Sequence, residues 1–175
     1  QHDMYRPYFF DRISGGLDAK GMPVAWIHRF AGSSVIARWV PPGFNNGLDS
    51  DTTEGAIGLV YALPNLHVEY VRVEPPGIPT AFWRSVGPSH NVFVVESFMD
   101  ELAAAAKQDA VAYRRALLDK SPRAKAVLEL AAQKAGWGKP LPKGVGRGTS
   151  LQHAFATYLA QVAEVEVSKD GAVRV

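Results

Sequence analysis

The sequence predicts an α+β fold in which β-hairpins flank a central run of about three helices. Three observations lead there. Aromatic and β-branched residues at strand spacing fill the first third and the end of the chain. Apolar residues recur at three- and four-residue steps between them. The two patterns lie in separate blocks instead of alternating, which favours α+β over a doubly wound parallel sheet. The blocks are a mainly β segment at 1–87 with a long loop at 40–58, a helical segment at 88–136, and a linker with a terminal hairpin at 137–175.

The elements follow in order. Strands are expected at residues 8–13 and 24–30, joined through turn chemistry at Asp18–Gly21 into a hairpin. From residue 40 to 58 the composition turns to Pro, Gly, Asn and Asp, with Pro41-Pro42-Gly43 and Asn45-Asn46-Gly47, an exposed loop. A further strand is expected at 66–73, after Pro64-Asn65, and Pro75-Pro76-Gly77-Ile78-Pro79 then holds the chain extended. The first helix is expected at about 90–107, with Val92, Val95, Phe98, Met99, Leu102, Ala103 and Ala106 on one face. Asp109 is placed to cap a second, with Val111, Leu117 and Leu118 inward. Ser121-Pro122 opens a third, with Val127, Leu128 and Ala131 inward and Gly136 just past its end. Residues 136–148 read as a Gly/Pro/Lys linker and 149–167 as strand. There Ala163, Val165 and Val167 alternate with Glu164 and Glu166, before a turn at Lys169-Asp170-Gly171 and a returning strand at 172–175. A chain that stops inside a strand reads as a piece of a longer protein, and its strand edges invite pairing between two copies.

Composition bounds the function classes. With 175 residues, 47% hydrophobic and 21% charged, the chain can bury a core and is not disordered. No stretch of about 18 residues is apolar enough for a membrane-spanning helix. Zero cysteines exclude disulfides, thiol nucleophiles, Cys-based zinc sites and Cys-ligated iron–sulfur clusters in this chain. The net charge of +2 is unevenly spread: residues 101–150 hold ten Lys or Arg against four Asp or Glu. Such a block either lines the solvent side of helices or faces an acidic partner. It lacks interleaved aromatics and any nucleic-acid motif, so no nucleic-acid partner is expected.

Few constellations carry chemistry. His2, His28, His67, His90 and His153 have no metal-ligand spacing, and no metal site is expected. No Gly-x-Ser-x-Gly elbow surrounds Ser33, Ser34, Ser89 or Ser150. Gly144-Val145-Gly146-Arg147-Gly148 has the composition of a phosphate loop but neither its Gly-Lys-Ser/Thr ending nor a following helix. The informative stretch is residues 79–91, where Arg84 stands between Phe82-Trp83 and a Gly/Ser/Pro turn that feeds a long helix. A guanidinium beside the unpaired amides of a helix start is a natural anion clamp, with Trp83 and Phe82 to stack on a planar ligand. The same residues also suit an Arg paired with Glu96 in an ordinary loop-to-helix joint.

Ala81-Phe82-Trp83-Arg84-Ser85-Val86-Gly87-Pro88-Ser89-His90-Asn91, followed by Glu96-Ser97-Phe98-Met99-Asp100-Glu101-Leu102-Ala103, resembles the molybdenum-binding large subunit of the xanthine dehydrogenase and aldehyde oxidase family. The branch it is most similar to is the isoquinoline 1-oxidoreductase β-subunit type. Supporting segments are His2-Asp3-Met4-Tyr5-Arg6-Pro7, Leu63-Pro64-Asn65, residues 110–118, Gly148-Thr149-Ser150-Leu151-Gln152-His153-Ala154-Phe155 and residues 160–167. The resemblance covers nearly the whole chain and a minority of the parent subunit.

The resemblance implies a fragment of a molybdenum-cofactor-binding domain, from a hydroxylase that oxidises an aldehyde or an N-heterocycle. It implies molybdenum–molybdopterin, in the cytosine dinucleotide form, in the parent and none bound to the fragment alone. Cofactor contacts fall on Arg84, Ser85 and Gly87, and substrate contacts on Trp83 and Val86. The family's motif is Gly- and Phe-rich after its Arg; here Ser85 and Val86 stand instead, and Trp83 supplies the aromatic surface. His90 lies near where other branches place a Gln. The catalytic Glu of the family has no counterpart in this chain, so the isolated fragment is expected to be inactive. Implied partners are the remainder of the large subunit, an iron–sulfur small subunit and a cytochrome c electron acceptor. The branch is commonly periplasmic; the cytoplasm is the other location open to it. Two readings stand against the hydroxylase: an interaction module using the basic helical face, and a degenerate relative without cofactor.

Overall fold

The computed structural model describes residues 3–175, so His2 lies outside the described residues. The chain forms two compact units. One runs to Leu59 and resumes over Leu63–Lys107; the other comprises Val60–Ala62 and Gln108–Val175. The helical segment at 88–136 is therefore parted between the units: its first helix belongs to the first sheet, its other two to the second.

In the first unit, β1 (Phe9–Leu17) and β2 (Pro23–Gly32) pair antiparallel, Phe9 opposite Gly32, with a bulge at Gly16/Leu17. Asp18 builds the turn between them, its Oδ1 accepting from the amides of Lys20 and Met22, with Gly21 at φ +78°. Helix α1 (Val35–Trp39), a 3₁₀ turn at Pro41–Gly43 and α2 (Ser50–Thr53) follow. The stretch read as an open loop at 40–58 thus holds helical turns, and Asp49 is the reason. Its buried carboxylate accepts from the Ser34 hydroxyl (2.5 Å), the Ile36 amide (3.1 Å) and the Thr52 amide (2.8 Å). One side chain therefore ties the start of α1 to the start of α2 and meets the amides that water would otherwise satisfy.

Strand β3 (Leu66–Arg72) lies parallel to β2, Trp26 opposite Leu66, giving the sheet order β1-β2-β3. This sheet is more than a hairpin: its third strand arrives by a crossover. Trp26, His28 and Phe30 point from β2 to the covered face and are buried. The long helix α3 (Pro88–Ala105) buries Val95, Met99, Leu102 and Ala103 at helical spacing. It lies close on β1, where a Cβ at Gly15 would stand 3.0 Å from Leu102, and Phe98 meets the Trp26 ring edge-on at 5.0 Å.

In the second unit, Asp109 caps α4 (Ala110–Ala116), accepting from the amides of Val111 and Ala112, and holds the Trp137 indole at 2.7 Å. Helix α5 (Pro122–Lys134) buries Ala124, Leu128 and Ala132; Val127 and Ala131, expected inward, are half-buried at the margin of that stripe. Gly136 at φ +63° closes it in a Schellman arrangement, the amides of Gly136 and Trp137 donating to Gln133 and Ala132. The expected linker ends early: β4 spans Val145–Ala154 and takes in all of the glycine run but Gly144, which turns into it at φ +90°. It pairs with β5 (Thr157–Val167) across a two-residue turn in which Phe155 and Ala156 have φ +49° and +57°. Strand β6 (Val173–Arg174) returns against β5.

Candidate functional site

The five residues that the sequence singles out sit together in one turn between β3 and α3. The Val86 amide donates to the Trp83 carbonyl at 3.0 Å, which places Arg84 and Ser85 at the tip. Ser85 has φ +69° and Val86 φ +50°. A left-handed Val is a genuine outlier, and two such residues in succession cost on the order of 1–3 kcal/mol each. Surrounding structure holds the turn. Gly87 is helical in conformation (φ −57°, ψ −45°), so its lack of a side chain serves closeness and not rotation. A Cβ there would stand 2.1 Å from the Asp51 carbonyl oxygen and 2.7 Å from that of Glu54. Buried Asn91 completes the join, its Nδ2 donating to the carbonyls of Thr52 and Glu54 at 2.8 Å each. Helix α2, itself built on Asp49, is thus the seat on which the turn is strained.

Arg84 is exposed and makes no hydrogen bond or ion pair among the described residues. The expected alternative of an Arg84–Glu96 pair is absent; Glu96 is buried within α3. The expected unpaired amides at the helix start need correction too. The Ser89 amide donates to Val86 and those of His90 and Asn91 to Gly87, while Pro88 has none to give. The free donors lie one step earlier: the amides of Arg84, Ser85 and Gly87 have no acceptor among the described residues. Together with the guanidinium they form a row of donors fixed by backbone, suited to an anionic or acceptor-rich ligand.

Trp83 and Phe82 are 54% and 48% exposed, and with half-buried Val86 they wall a narrow crevice of about 10 Å³, room for little more than a water molecule. Pro7, Phe9, Asp51 and His90 line its other sides. Burial, reinforced by the charge of Asp49, raises the Asp51 carboxyl. His90 stacks on Phe9 with ring centroids 3.6 Å apart, and burial pushes its imidazole down to about 4. Neither Asp51 nor Phe9 is marked in the sequence as a site residue. They reach the turn through the Asp49 network and the β1–β2 hairpin, which leave no local motif.

Elsewhere the groups that invite a functional reading are engaged. His28 is buried with Nε2 2.7 Å from Asp11, and exposed His67 pairs with Glu69 at 2.7 Å. Among the described residues no three His, Cys, Asp or Glu side chains could hold a metal ion. Within the basic block Arg115 meets Glu129, Lys125 meets Asp119, Arg147 meets Glu164 and Arg114 is buried, so much of its charge is locally answered.

No family model matches the chain. In sequence it is 29% identical over 147 residues to the isoquinoline 1-oxidoreductase subunit beta of Brevundimonas diminuta, covering 81% of this chain and 19% of that protein. In fold it is similar to quinoline 2-oxidoreductase from Pseudomonas putida 86, with a TM-score of 0.64 at 14% identity. That match covers 85% of this chain and 22% of the other. Aldehyde oxidoreductase from Desulfovibrio gigas matches with a TM-score of 0.56 at 18% identity, over 96% of this chain and 20% of that one. The sequence likeness supports reading the chain as a fragment similar to part of an isoquinoline oxidoreductase β subunit, and the solved structures show that it shares their fold. It spans about a fifth of the length of these relatives. These likenesses do not favour the basic-face interaction module.

Proposed function

We propose that this chain is the part of a molybdenum hydroxylase large subunit that presents the Trp83–Gly87 turn to the molybdopterin cofactor. The whole protein then oxidises an aldehyde or an isoquinoline-type N-heterocycle. One observation carries the reading: an exposed, unpaired Arg84 with three free amides beside it, on a strained turn locked against α2. Backbone strain of this kind persists where function uses it. The donor set suits the group, since a pterin with its phosphate arm is rich in hydrogen-bond acceptors. When bound, the cofactor supplies the oxygen-transfer and two-electron chemistry.

The residues of this chain do the positioning. Arg84, with the amides of Arg84, Ser85 and Gly87, holds the cofactor by hydrogen bonds. Trp83 and Val86 border the substrate, and the Trp83 ring excludes water from one side. No residue here plays the family's catalytic Glu. The cytosine dinucleotide form, an iron–sulfur small subunit, a cytochrome c acceptor and the remainder of the large subunit belong to the same proposal. So do an inactive, cofactor-free isolated fragment and strand-edge pairing of two copies.

The test is Arg84→Ala in the full-length subunit purified with any small subunit, with metal analysis and turnover. Loss of molybdenum, or a turnover drop of about tenfold or more at retained molybdenum, is expected for a charge-assisted contact worth roughly 1.5–3 kcal/mol. Wild-type metal content together with wild-type rate removes Arg84 from the site.

A further inference from the structure

We propose that the free edge of β3 pairs antiparallel with the same edge of a second copy of the chain, in a register centred on Val68. This gives a place to the pairing of two copies put forward above, on grounds independent of the cofactor. The Trp26 amide donates to the Asn65 carbonyl at 2.8 Å, and the Val73 amide to the Gly32 carbonyl at 2.9 Å. Along a strand the backbone groups of alternate residues face the same neighbour, so Asn65, His67, Glu69, Val71 and Val73 turn theirs to β2. Those of Leu66, Val68, Tyr70 and Arg72 point the other way, where the sheet ends. These outward N–H and C=O groups have no partner among the described residues.

An edge of this kind is normally blunted by glycine, proline, lysine or a bulge. The other edge strand of this sheet, β1, carries Gly15, Gly16 and a bulge. In the second sheet β4 carries Gly146 and Gly148, and α5 packs on β5. Strand β3 has no Gly, Pro or Lys between 66 and 72 and keeps an unbroken register with β2. It is a template for another strand.

The strand that fits it is its own copy, related by a two-fold axis. Centred on Val68, the register sets Val68 against itself and Leu66 against Tyr70 of the second copy, so every outward N–H and C=O of these three residues is met. Their side chains continue the covered face beside Trp26, His28 and Phe30, and Leu66, 40% exposed, gains an aromatic neighbour. On the open face His67 of each copy meets Glu69 of the other. Neighbouring registers fail. Centring on Glu69 sets two carboxylates together. Centring on His67 opposes two imidazoles and puts Tyr70 opposite Pro64, which has no N–H to give. Centring on Tyr70 sets Glu69 against Val71 and Leu66 against Glu74. A seam over residues 66–70 buries well under the ~1,200 Å² of a stable complex, so association is weak, with a Kd on the order of 10–100 µM.

The test is sedimentation velocity of the 175-residue chain at neutral pH, from about 5 to 500 µM, where a monomer–dimer equilibrium is expected. Val68→Pro removes an outward N–H that the ladder to β2 does not use, and abolishes the dimer. His67→Glu, at an exposed position, opposes like charges twice across the axis and weakens the dimer about tenfold. The register is read by crosslinking, because the chain has no cysteine of its own. Val68→Cys places two thiols on residues about 5.5 Å apart at Cα, within disulfide reach, and links the copies on mild oxidation. Glu69→Cys, and Ser14→Cys on the exposed face of β1, do not. If Val68→Pro does not fold, His67→Glu and the crosslinks decide. A chain that stays monomeric throughout, a dimer indifferent to both edge variants, or linking of Glu69→Cys in preference to Val68→Cys overturns the proposal. None of these results bears on the molybdenum analysis of Arg84→Ala, so the two readings fail separately.

Discussion

Replacing Gly87 by Ala tests whether closeness to α2, and not backbone freedom, holds the strained turn. The conformation at Gly87 suits Ala, so there is no dihedral penalty. The new Cβ starts 2.1 Å from the Asp51 carbonyl oxygen and 2.7 Å from that of Glu54, both backbone atoms with no rotamer to give. Reaching an ordinary contact near 3.4 Å asks the start of α3 to retreat about 1.3 Å from α2. The two Asn91 bonds that span the same gap at 2.8 Å then lengthen past any useful geometry. Two lost bonds at about 1 kcal/mol each, with overpacking strain of about 1–3 kcal/mol, give a destabilisation of about 3–5 kcal/mol. With a urea slope of about 2 kcal/mol per molar, the midpoint falls by about 1.5–2.5 M. Tryptophan fluorescence reports it, because Trp26, Trp39 and Trp83 all lie in this unit. Gly16→Ala is the control: its Cβ meets Val24 and Ala25 at 3.6 and 3.7 Å, ordinary contacts, and its midpoint stays within about 0.5 kcal/mol of wild type. A Gly87→Ala midpoint matching that control would refute the argument.

Ser85→Gly removes the penalty of an exposed left-handed residue at φ +69° and raises the thermal midpoint by the equivalent of about 1 kcal/mol; a fall would mean that the Ser side chain itself supports the turn. Asp49→Asn keeps the shape but gives up the charge behind three hydrogen bonds, so a loss of about 2–3 kcal/mol is expected by urea titration, and a loss under about 0.5 kcal/mol would show that α1 and α2 stand without it. His90 titrates at about 4 in the fold against 6.5 when free, chiefly through burial, with Asp11 opposing and Arg6 and His28 adding to the fall. Its neutral form is the folded one, so the stability it contributes is fully present above about pH 6.5 and is lost as pH falls through that value toward 4. Between those pH values wild type should lose on the order of 3 kcal/mol more than His90→Phe, and parallel pH profiles would contradict the buried, neutral ring.

Period-based features of the fold were legible because they repeat. Val95, Met99, Leu102 and Ala103 declare α3, and the Asp18 turn between two aromatic runs declares the first hairpin. The Asp109 cap and Gly136 stop are equally local. What stayed hidden is held by contacts between residues far apart in sequence. Helices α1 and α2 have five and four residues, too few to show a period, and exist because Asp49 reaches fifteen residues back to Ser34. The parallel placing of β3 has no local signature either, since a crossover strand carries the same alternation as a hairpin strand.

The candidate site divides in the same way. Arg84 between aromatics and a turn is visible as residue types, but its freedom from Glu96 is a matter of packing. Nothing in Ser85-Val86 announces left-handed backbone, and a β-branched residue argues against it. Gly87 looks like the flexible member of that turn, yet it is the residue with ordinary dihedrals, kept small so that two carbonyls of α2 can approach. The strain therefore falls on the two residues beside the glycine, and the arrangement explains it. Gly87 and Asn91 fix the end of the turn to α2, the bridge of Tyr5 to Pro79 and Ala81 fixes the chain just before it, and the few residues between have little room to relax. A free guanidinium at the tip of such a turn is held in place without a partner of its own, which is the condition a ligand-holding Arg needs and a structural Arg does not.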